Sequence, residues 1–324
     1  MRLDLLGRVR TNSGRERHIL YYYRDRFAPL LLRWAFGDQI SIKDVRQSPL
    51  RGLLEKPALK TALAACGKGI LDLSKVDAAQ MDYATLAYSL DFGQWPLPGD
   101  KLSRFDQTSR KGYSFVVQLN FTGQHDGFYR QRIDRENRQY FTYFNHPVNT
   151  EEGGRNTLAW ARIDFDLETG EALIEELQND WLRDAALDYK WAQSLRAKKK
   201  GTSPVLGGRT ECSVDAETFC HYYEQYLLQH AKVWSEAMLA AALQVLVELL
   251  SIRQVWMHTF ETGNHLKGLA RDYSKPPMSL YKELPRKFCF QRTNRAPSFL
   301  ESCGTRKRRQ WLKNGNGTFW YLAL

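Results

Sequence analysis

Apolar and polar positions change their period along this chain, and each change marks an element. Over residues 15–36 apolar positions recur at helical spacing, with Ser13 placed to cap the helix and Pro29 placed to divide it. Residues 48–65 and 75–88 predict two further helices, and Trp95-Pro-Leu-Pro-Gly99 forms a rigid turn after them. From Gly112 the period shortens to two. Over 113–121, Phe115, Val117, Leu119 and Phe121 alternate with Val116, Gln118 and Asn120, which predicts a strand. Residues 128–133 and 139–144 are further candidate strands. Residues 158–165 and 172–181 flank Leu167-Glu-Thr-Gly-Glu171, the pattern of a β-hairpin.

The helical period returns over 182–196 and dominates 215–250. There Trp234, Met238, Ala241, Val245 and Leu249 form a stripe that Leu239, Leu243, Leu246 and Leu250 widen. Glu236, Gln244 and Glu248 keep a narrow polar edge, so this helix is expected to lie mostly buried against a sheet. A strand over 253–260, a short helix over 279–284 and a strand over 287–293 follow. Residues 309–312 and 319–322 flank Asn314-Gly-Asn-Gly317, a second hairpin signal. The predicted class is α+β: a mixed sheet with a long core helix in residues 111–324, behind a mainly helical segment in residues 1–110.

One stretch departs from plain alternation. In residues 172–181, Ile174, Glu176, Gln178 and Asp180 share one face, and Leu173, Glu175, Leu177, Asn179 and Trp181 share the other. Polar groups crowd its C-terminal end on both faces, and ligands of open α/β sheets bind at strand ends. Glu175, Glu176 and Asp180 are candidate acid/base groups, because carboxyls gathered in a partly dry site titrate nearer neutrality. Glu176 and Asp180 lie four residues apart, roughly 13 Å in a straight strand, so a tight pair needs a bend. The competing reading is hydrogen bonding and ion pairing at a sheet end. His146, His258 and His265 have no metal-ligand spacing and read as structural or surface histidines. Neither G-x-S-x-G nor a phosphate-cradling P-loop occurs.

Composition narrows the class. With 43% apolar, 26% charged and 13% aromatic residues, the 324-residue chain has ample material for a folded core. The formal charge of +11 admits nucleic acid, anionic lipid or an acidic cofactor as partner. Arg286, Lys287, Arg292, Arg295, Arg306, Lys307, Arg308, Arg309 and Lys313 stand among Phe288, Phe290, Phe299, Trp311 and Trp320. That mixture suits phosphate contact with base stacking, or a solvated sheet edge. Five cysteines without a C-x-x-C pair fit reduced thiols and a cytoplasmic protein. Met1-Arg-Leu-Asp-Leu-Leu-Gly-Arg8 holds no apolar run of signal-peptide length, and no stretch is long and apolar enough to span a membrane.

Two resemblances follow. Leu158-Ala-Trp-Ala-Arg-Ile-Asp-Phe-Asp166 followed by Leu173-Ile-Glu-Glu-Leu-Gln-Asn-Asp-Trp181 resembles a motif of large polyvalent proteins carried by phages and conjugative elements. There a hairpin leads into E-[IL]-Q-S-D-W; Asn179 stands at the Ser position here. The later pieces are matched by Trp234, residues 256–263, and Tyr281 with Leu284-Pro285, so the likeness covers roughly residues 140–295. The order of elements is also similar to the GNAT acyltransferase superfamily: an antiparallel meander, a fourth strand, a long helix, a fifth strand, a short helix with a Tyr, and closing strands. That resemblance implies acyl transfer from acetyl-CoA or a related acyl-CoA to an amine or macromolecule. Tyr281 would be the general acid, and Glu176 and Asp180 the candidate base groups. Gln178, Thr259, Gly207 and Gly208 would be the cofactor-binding residues. The family's glycine-rich loop, whose amides hold the pyrophosphate at a helix N-terminus, is missing after Trp181, where Leu182-Arg-Asp-Ala185 follows. Gly207-Gly208-Arg209 is the glycine pair left to take its place. The alternative is a nucleic-acid-binding or mobile-element conflict protein on the same scaffold, without acyl transfer. Convergence of Glu176, Gln178, Asp180, Thr259 and Tyr281 on one pocket is the structural test.

Overall fold

The computed structural model describes residues 18–80, 85–96, 107–149, 154–205, 208–268, 277–301 and 306–324. The strands are β1 (His18–Tyr22), β2 (Gln39–Ser41), β3 (Ile70–Asp72), β4 (Leu86–Trp95), β5 (Ser114–Asn120), β6 (Thr157–Asp166), β7 (Glu171–Gln178), β8 (Pro204–Val205), β9 (Cys212–Asp215), β10 (Gln254–His258), β11 (Gln291–Thr293) and β12 (Phe319–Ala323). Eight of them form one mixed sheet in the order β1-β4-β5-β6-β7-β10-β12-β11. β7 and β10 run parallel, and the other pairs in this sheet are antiparallel.

The hairpin predicted around residues 167–171 forms as β6 and β7. The predicted division at residue 110 falls between β4 and β5, which are hydrogen-bonded neighbours. The stretch read as helical before it also supplies β1 and β4. In β4, Tyr88 and Leu90 are buried at period two, and the main core runs unbroken from Leu20 to Leu322. Helix α1 (Phe27–Phe36) packs into that core with seven buried residues. Residues 1–17, with the proposed Ser13 cap, lie outside the described residues.

Three predicted strands are not strands. Residues 123–133 are helical, with α2 (Gly123–Phe128) running into a wide π turn. Residues 139–144 make turns. Helix α8 (Arg306–Lys313) replaces the first arm of the C-terminal hairpin, so Asn314-Gly-Asn-Gly317 joins a helix to β12. Its arginine-rich run has one apolar side, carried by Trp311 and Leu312, which pack on the smaller core; an amphipathic period of 3.6 outweighs the turn signal.

Two predicted strands end early, each at a capping residue. β7 stops at Gln178 because the Asn179 side chain accepts a hydrogen bond from Leu182 N at 2.8 Å and starts α3 (Asp180–Ala197). β10 stops at His258 because Thr259 Oγ1 accepts from Thr262 N at 3.2 Å and starts α6 (Phe260–Lys267). Between them the predicted long helix spans residues 216–249. It comprises α4 (Ala216–Tyr222), a π turn, α5 (Leu228–Gln244) and a second π turn. Ten residues of α5 are buried, and it crosses β5, β6 and β7. Helix α7 (Met278–Lys287) follows β10 and carries Tyr281. A smaller core of Leu173, Trp256, Leu266, Phe299 and Phe319 covers the sheet's other face, so β7 and β10 are buried on both sides.

Candidate functional site

The parallel pair is paired only in part. β7 and β10 are in register from Glu171↔Gln254 to Ile174↔Met257, and then they part. On the other side of β7, the register with β6 jumps from Arg162↔Glu176 to Ile163↔Ile174, so Glu175 is the extra residue of a β-bulge. A bulge breaks strict alternation and re-aims side chains. Ile174 and Leu177 both enter the main core, three positions apart, and the two glutamates between them face the other way. The simple two-residue period, which placed Glu176 on the Ile174 face, is overturned here by one inserted residue.

Separation of the two strands opens a cavity of about 600 Å³ at their C-terminal ends, the size of a small-molecule site. Glu176 and Gln178 of β7, Leu182 and Arg183 of α3, Trp234 of α5, Phe260 and Lys267 of α6, and Tyr281 of α7 line it, with His146 from the loop before β6. Thus three predicted residues, Glu176, Gln178 and Tyr281, share one cavity.

Glu175 lies behind this wall and is fully buried. Its carboxylate accepts from Ser109 N at 2.9 Å and Ser109 Oγ at 2.8 Å, and lies 3.1 Å from His258 Nε2. Lys267 Nζ donates to the Glu175 carbonyl at 2.6 Å. Burial pushes the Glu175 carboxyl up, but the hydrogen bond and charge of His258, then Lys267 and Arg162, outweigh it and bring it down to about 2. Ser109, His258 and Glu175 have the composition of a nucleophilic triad but not its wiring. Ser109 Oγ lies 2.7 Å from His258 Nε2, the same nitrogen that meets Glu175. That nitrogen must carry a proton to satisfy the carboxylate, so it cannot take one from the serine.

Glu176 is also committed. Arg162 Nη2 donates to it at 2.6 Å, and Lys267 Nζ lies 3.9 Å away. Arg162 also donates to the Gln107 carbonyl at 3.0 Å. Burial pushes the Lys267 ammonium down, with Glu176 opposing. Tyr281 is buried, and burial, then the Glu176 charge, raises its phenol far above the ordinary value. Its hydroxyl makes no hydrogen bond to the described residues, so it is a neutral donor on the cavity wall.

The Glu176-Leu-Gln-Asn-Asp-Trp181 run straddles the strand-to-helix junction, and each polar member has a definite task. Asn179 caps α3. Trp181 Nε1 donates to Tyr222 OH at 3.0 Å in the core. Asp180 is the first residue of α3 and not a strand residue, and it turns onto a histidine that sequence reasoning treated as structural. Asp180 Oδ2 lies 2.6 Å from His146 Nδ1. Oδ1 accepts from Gln178 Nε2 at 2.7 Å and lies 3.0 Å from Arg183 Nη2. Burial pushes the Asp180 carboxyl up, but the His146 bond and charge, the Gln178 amide and Arg183 hold it below its usual value. His146 stands 34 residues upstream of Asp180; no local pattern couples positions so far apart.

Two predicted cofactor residues do not reach the cavity wall. The Thr259 hydroxyl caps α6 and donates to the Thr318 carbonyl at 2.9 Å, and the residue is buried. Gly208 packs on the buried Asp188, whose carboxylate accepts from Arg209 N and from Thr210 Oγ1 at 2.5 Å. A carboxylate there repels a pyrophosphate. Gly207 lies outside the described residues. The N-terminus of α3 is likewise taken, by the Asn179 side chain and Asp180, so neither it nor Gly208 fits the pyrophosphate of an acyl-CoA. A Cβ at Gly208 would meet Asp188 Oδ1 at 2.5 Å and its Cα at 3.3 Å. Gly208→Ala is therefore expected to cost about 1–3 kcal/mol in denaturant unfolding while leaving ligand binding in the cavity unchanged; weakened cavity binding with full stability would return Gly208 to the site.

Several of the basic C-terminal residues are engaged. Lys287 bonds Glu236 and lies 3.6 Å from Asp25, Arg295 lies 3.5 Å from Glu171, and Arg286 and Arg292 sit over the Trp320 ring at 5.7 and 5.0 Å. The side chains of Lys307 and Arg308 lie outside the described residues. Among the described residues, no group of three or more His, Cys, Asp or Glu side chains is placed to hold a metal, and no helix is long and apolar enough to cross a membrane. Compared with known proteins, the chain has no significant match to a family model, a curated protein or a solved structure.

Proposed function

We propose that this chain is a GNAT-like acyltransferase that moves an acyl group onto an amine or a macromolecular acceptor in the cavity between β7 and β10. The observation that carries the reading is the parting of these two parallel strands around Glu176, Gln178 and Tyr281. The element order supports it: an antiparallel meander β4 to β7, a long helical stretch, β10 beside β7, the Tyr281 helix, then β11 and β12. The E-x-Q-x-D-W run lies at the same junction, which agrees with the likeness to polyvalent proteins of mobile elements.

Acyl transfer needs an acceptor that loses a proton and a leaving group that gains one. Tyr281, neutral and unbonded, is suited to protonate the leaving group. Glu176 is ill placed to be the base, because its Oε2 already accepts from Arg162 and has Lys267 3.9 Å away. Its service is to hold Lys267 at the wall and Arg162 behind it. Coenzyme A is the donor that the fold resemblance implies. Of the residues named for it, Gly208 faces Asp188 and Thr259 caps α6, so no step is assigned to it. The nucleic-acid reading has less support, because Lys287 and Arg295 are bound to carboxylates and Arg286 and Arg292 sit over Trp320.

The test is calorimetric titration with acetyl-CoA and with acetyl-pantetheine, followed by transfer assays to an amine panel. The two thioesters are expected to bind about equally, since the nucleotide adds no fitted contact, and Tyr281→Phe is expected to lower transfer by about 10²-fold or more. No heat from either thioester at millimolar concentration would sink the proposal.

A further inference from the structure

We infer that His146 is the catalytic base of this cavity and that Asp180 is its positioning residue. The inference rests on the acyl-transfer reading for its reaction, but the pair itself can be tested without a substrate. Three observations carry it. First, the ring is held: it stacks on Tyr143 at a centroid distance of 5.5 Å and meets Trp160 edge-on at 5.7 Å. Second, its tautomer is set. Asp180 is 5% exposed, is kept ionised by its neighbours, and lies 2.6 Å from Nδ1, so the network assigns the ring proton of neutral His146 to Nδ1. Gln178 Nε2, 3.3 Å from that nitrogen, is a donor and turns to Asp180 Oδ1 instead. Third, His146 lines the cavity with a side chain 23% exposed, and Nε2 has no hydrogen-bond partner among the described residues.

A neutral imidazole with its lone pair on Nε2 and a buried carboxylate behind Nδ1 is the base half of a nucleophile-activating triad. Two other groups in the neighbourhood are excluded by their partners: Glu176 by Arg162 and Lys267, and His258 by its protonated Nε2. In the step, Nε2 takes the proton from the acceptor's N–H or O–H bond. The freed electron pair forms the new bond to the acyl carbon, and the carbonyl then re-forms as the leaving group departs with the Tyr281 proton. Solvent returns the imidazolium proton to the tyrosinate, so the enzyme ends as it began. Asp180 stabilises the imidazolium in between.

The groups that bear on the His146 titration are Asp180 and Arg183 from α3, Gln178 from β7, Trp160 from β6, and Tyr143 from its own loop, whose hydroxyl is bound to Asp184 at 2.5 Å. Histidine-selective nitrogen NMR on the full chain, from about pH 5 to 9, reads the pair directly. Neutral His146 is expected as the Nδ1–H tautomer, and Asp180→Ala, which removes the acceptor at Nδ1, is expected to move the neutral ring toward the Nε2–H tautomer. With a donor that the wild type turns over, kcat/KM should rise with pH in step with the neutral His146 fraction read by NMR. His146→Gln should lose about 10²–10⁴-fold and flatten the profile, with KM for the donor little changed. An Nε2–H tautomer in the wild type, a tautomer unmoved in Asp180→Ala, or an unchanged profile in His146→Gln overturns the inference. A wild type that turns over no donor, yet shows the Asp180-dependent tautomer, supports the pair and counts against acyl transfer alone.

Discussion

Glu175→Ala lowers the unfolding free energy by about 3–5 kcal/mol, as expected when one member of a buried charged cluster is removed. Glu175 has no solvent exposure and serves Ser109 twice and His258 once. Arg162 and Lys267 lie in the same cluster, and Glu176 alone cannot balance both. The truncation leaves a buried excess of positive charge and two unmet donors on Ser109. Glu175→Gln keeps the volume and one acceptor and is expected to lose less. Urea unfolding midpoints compare the three chains, and a loss below about 1 kcal/mol for Glu175→Ala would show that water or a side-chain shift replaces the carboxylate. The charge also sets a pH window. The folded carboxyl lies at about 2, below its ordinary value, so its contribution is complete above pH about 4.5 and is lost as pH falls toward 2.

The second large effect lies at milder acidity and comes from two buried histidines. His230 is pushed down to about 3 by burial, with the His125 charge adding to it; its Nδ1 meets Tyr88 OH at 2.9 Å. His125, stacked on Phe121 and bonded to Tyr222 OH at 3.0 Å, is also pushed down by burial, against the opposing pull of Asp126. Below pH about 6.5 the unfolded chain binds protons that the folded chain refuses, so stability falls as pH falls. Each refused proton costs about 1.4 kcal/mol per pH unit. Between pH 6.5 and 5 the loss from His230 alone is about 2 kcal/mol. This window opens near pH 6.5, above that of Glu175, which begins near pH 4.5, and the two overlap from there down to about pH 3. His230→Gln should flatten the slope over the upper window, read from urea midpoints at several pH values. A variant that keeps the wild-type slope would mean that His230 takes up its proton inside the fold.

Much of the cavity wall was legible. Glu176 and Gln178 stood out because polar residues at the end of an otherwise buried strand need a reason, and Tyr281 followed from the order of elements. What misled was periodicity taken too far. Alternation carried the strand through Asn179 to Trp181, although an Asn-Asp step after Gln178 is a capping signal that ends a strand by starting a helix. The same fault hid the helix begun by Thr259. In the N-terminal part, the alternation of Tyr88 and Leu90 was absorbed into the end of a supposed helix, so β4 was missed.

By itself the sequence determined the elements whose causes are local: the β6–β7 hairpin through its glycine-containing turn, the β5 strand through its alternation, and the long helix through its apolar stripe. Tertiary structure alone decided the rest. The bulge at Glu175 arises from pairing with β6 on one side and loss of pairing with β10 on the other. The joining of His146 to Asp180 depends on a loop laid against the start of α3. The engagement of Glu176 depends on Arg162 and Lys267, 14 residues before it and far after it in the chain. Hydrophobic period is a property of neighbouring residues, so one strand can reveal it. Charge pairing, hydrogen bonding and the shape of a cavity are properties of groups that meet only when the chain has folded.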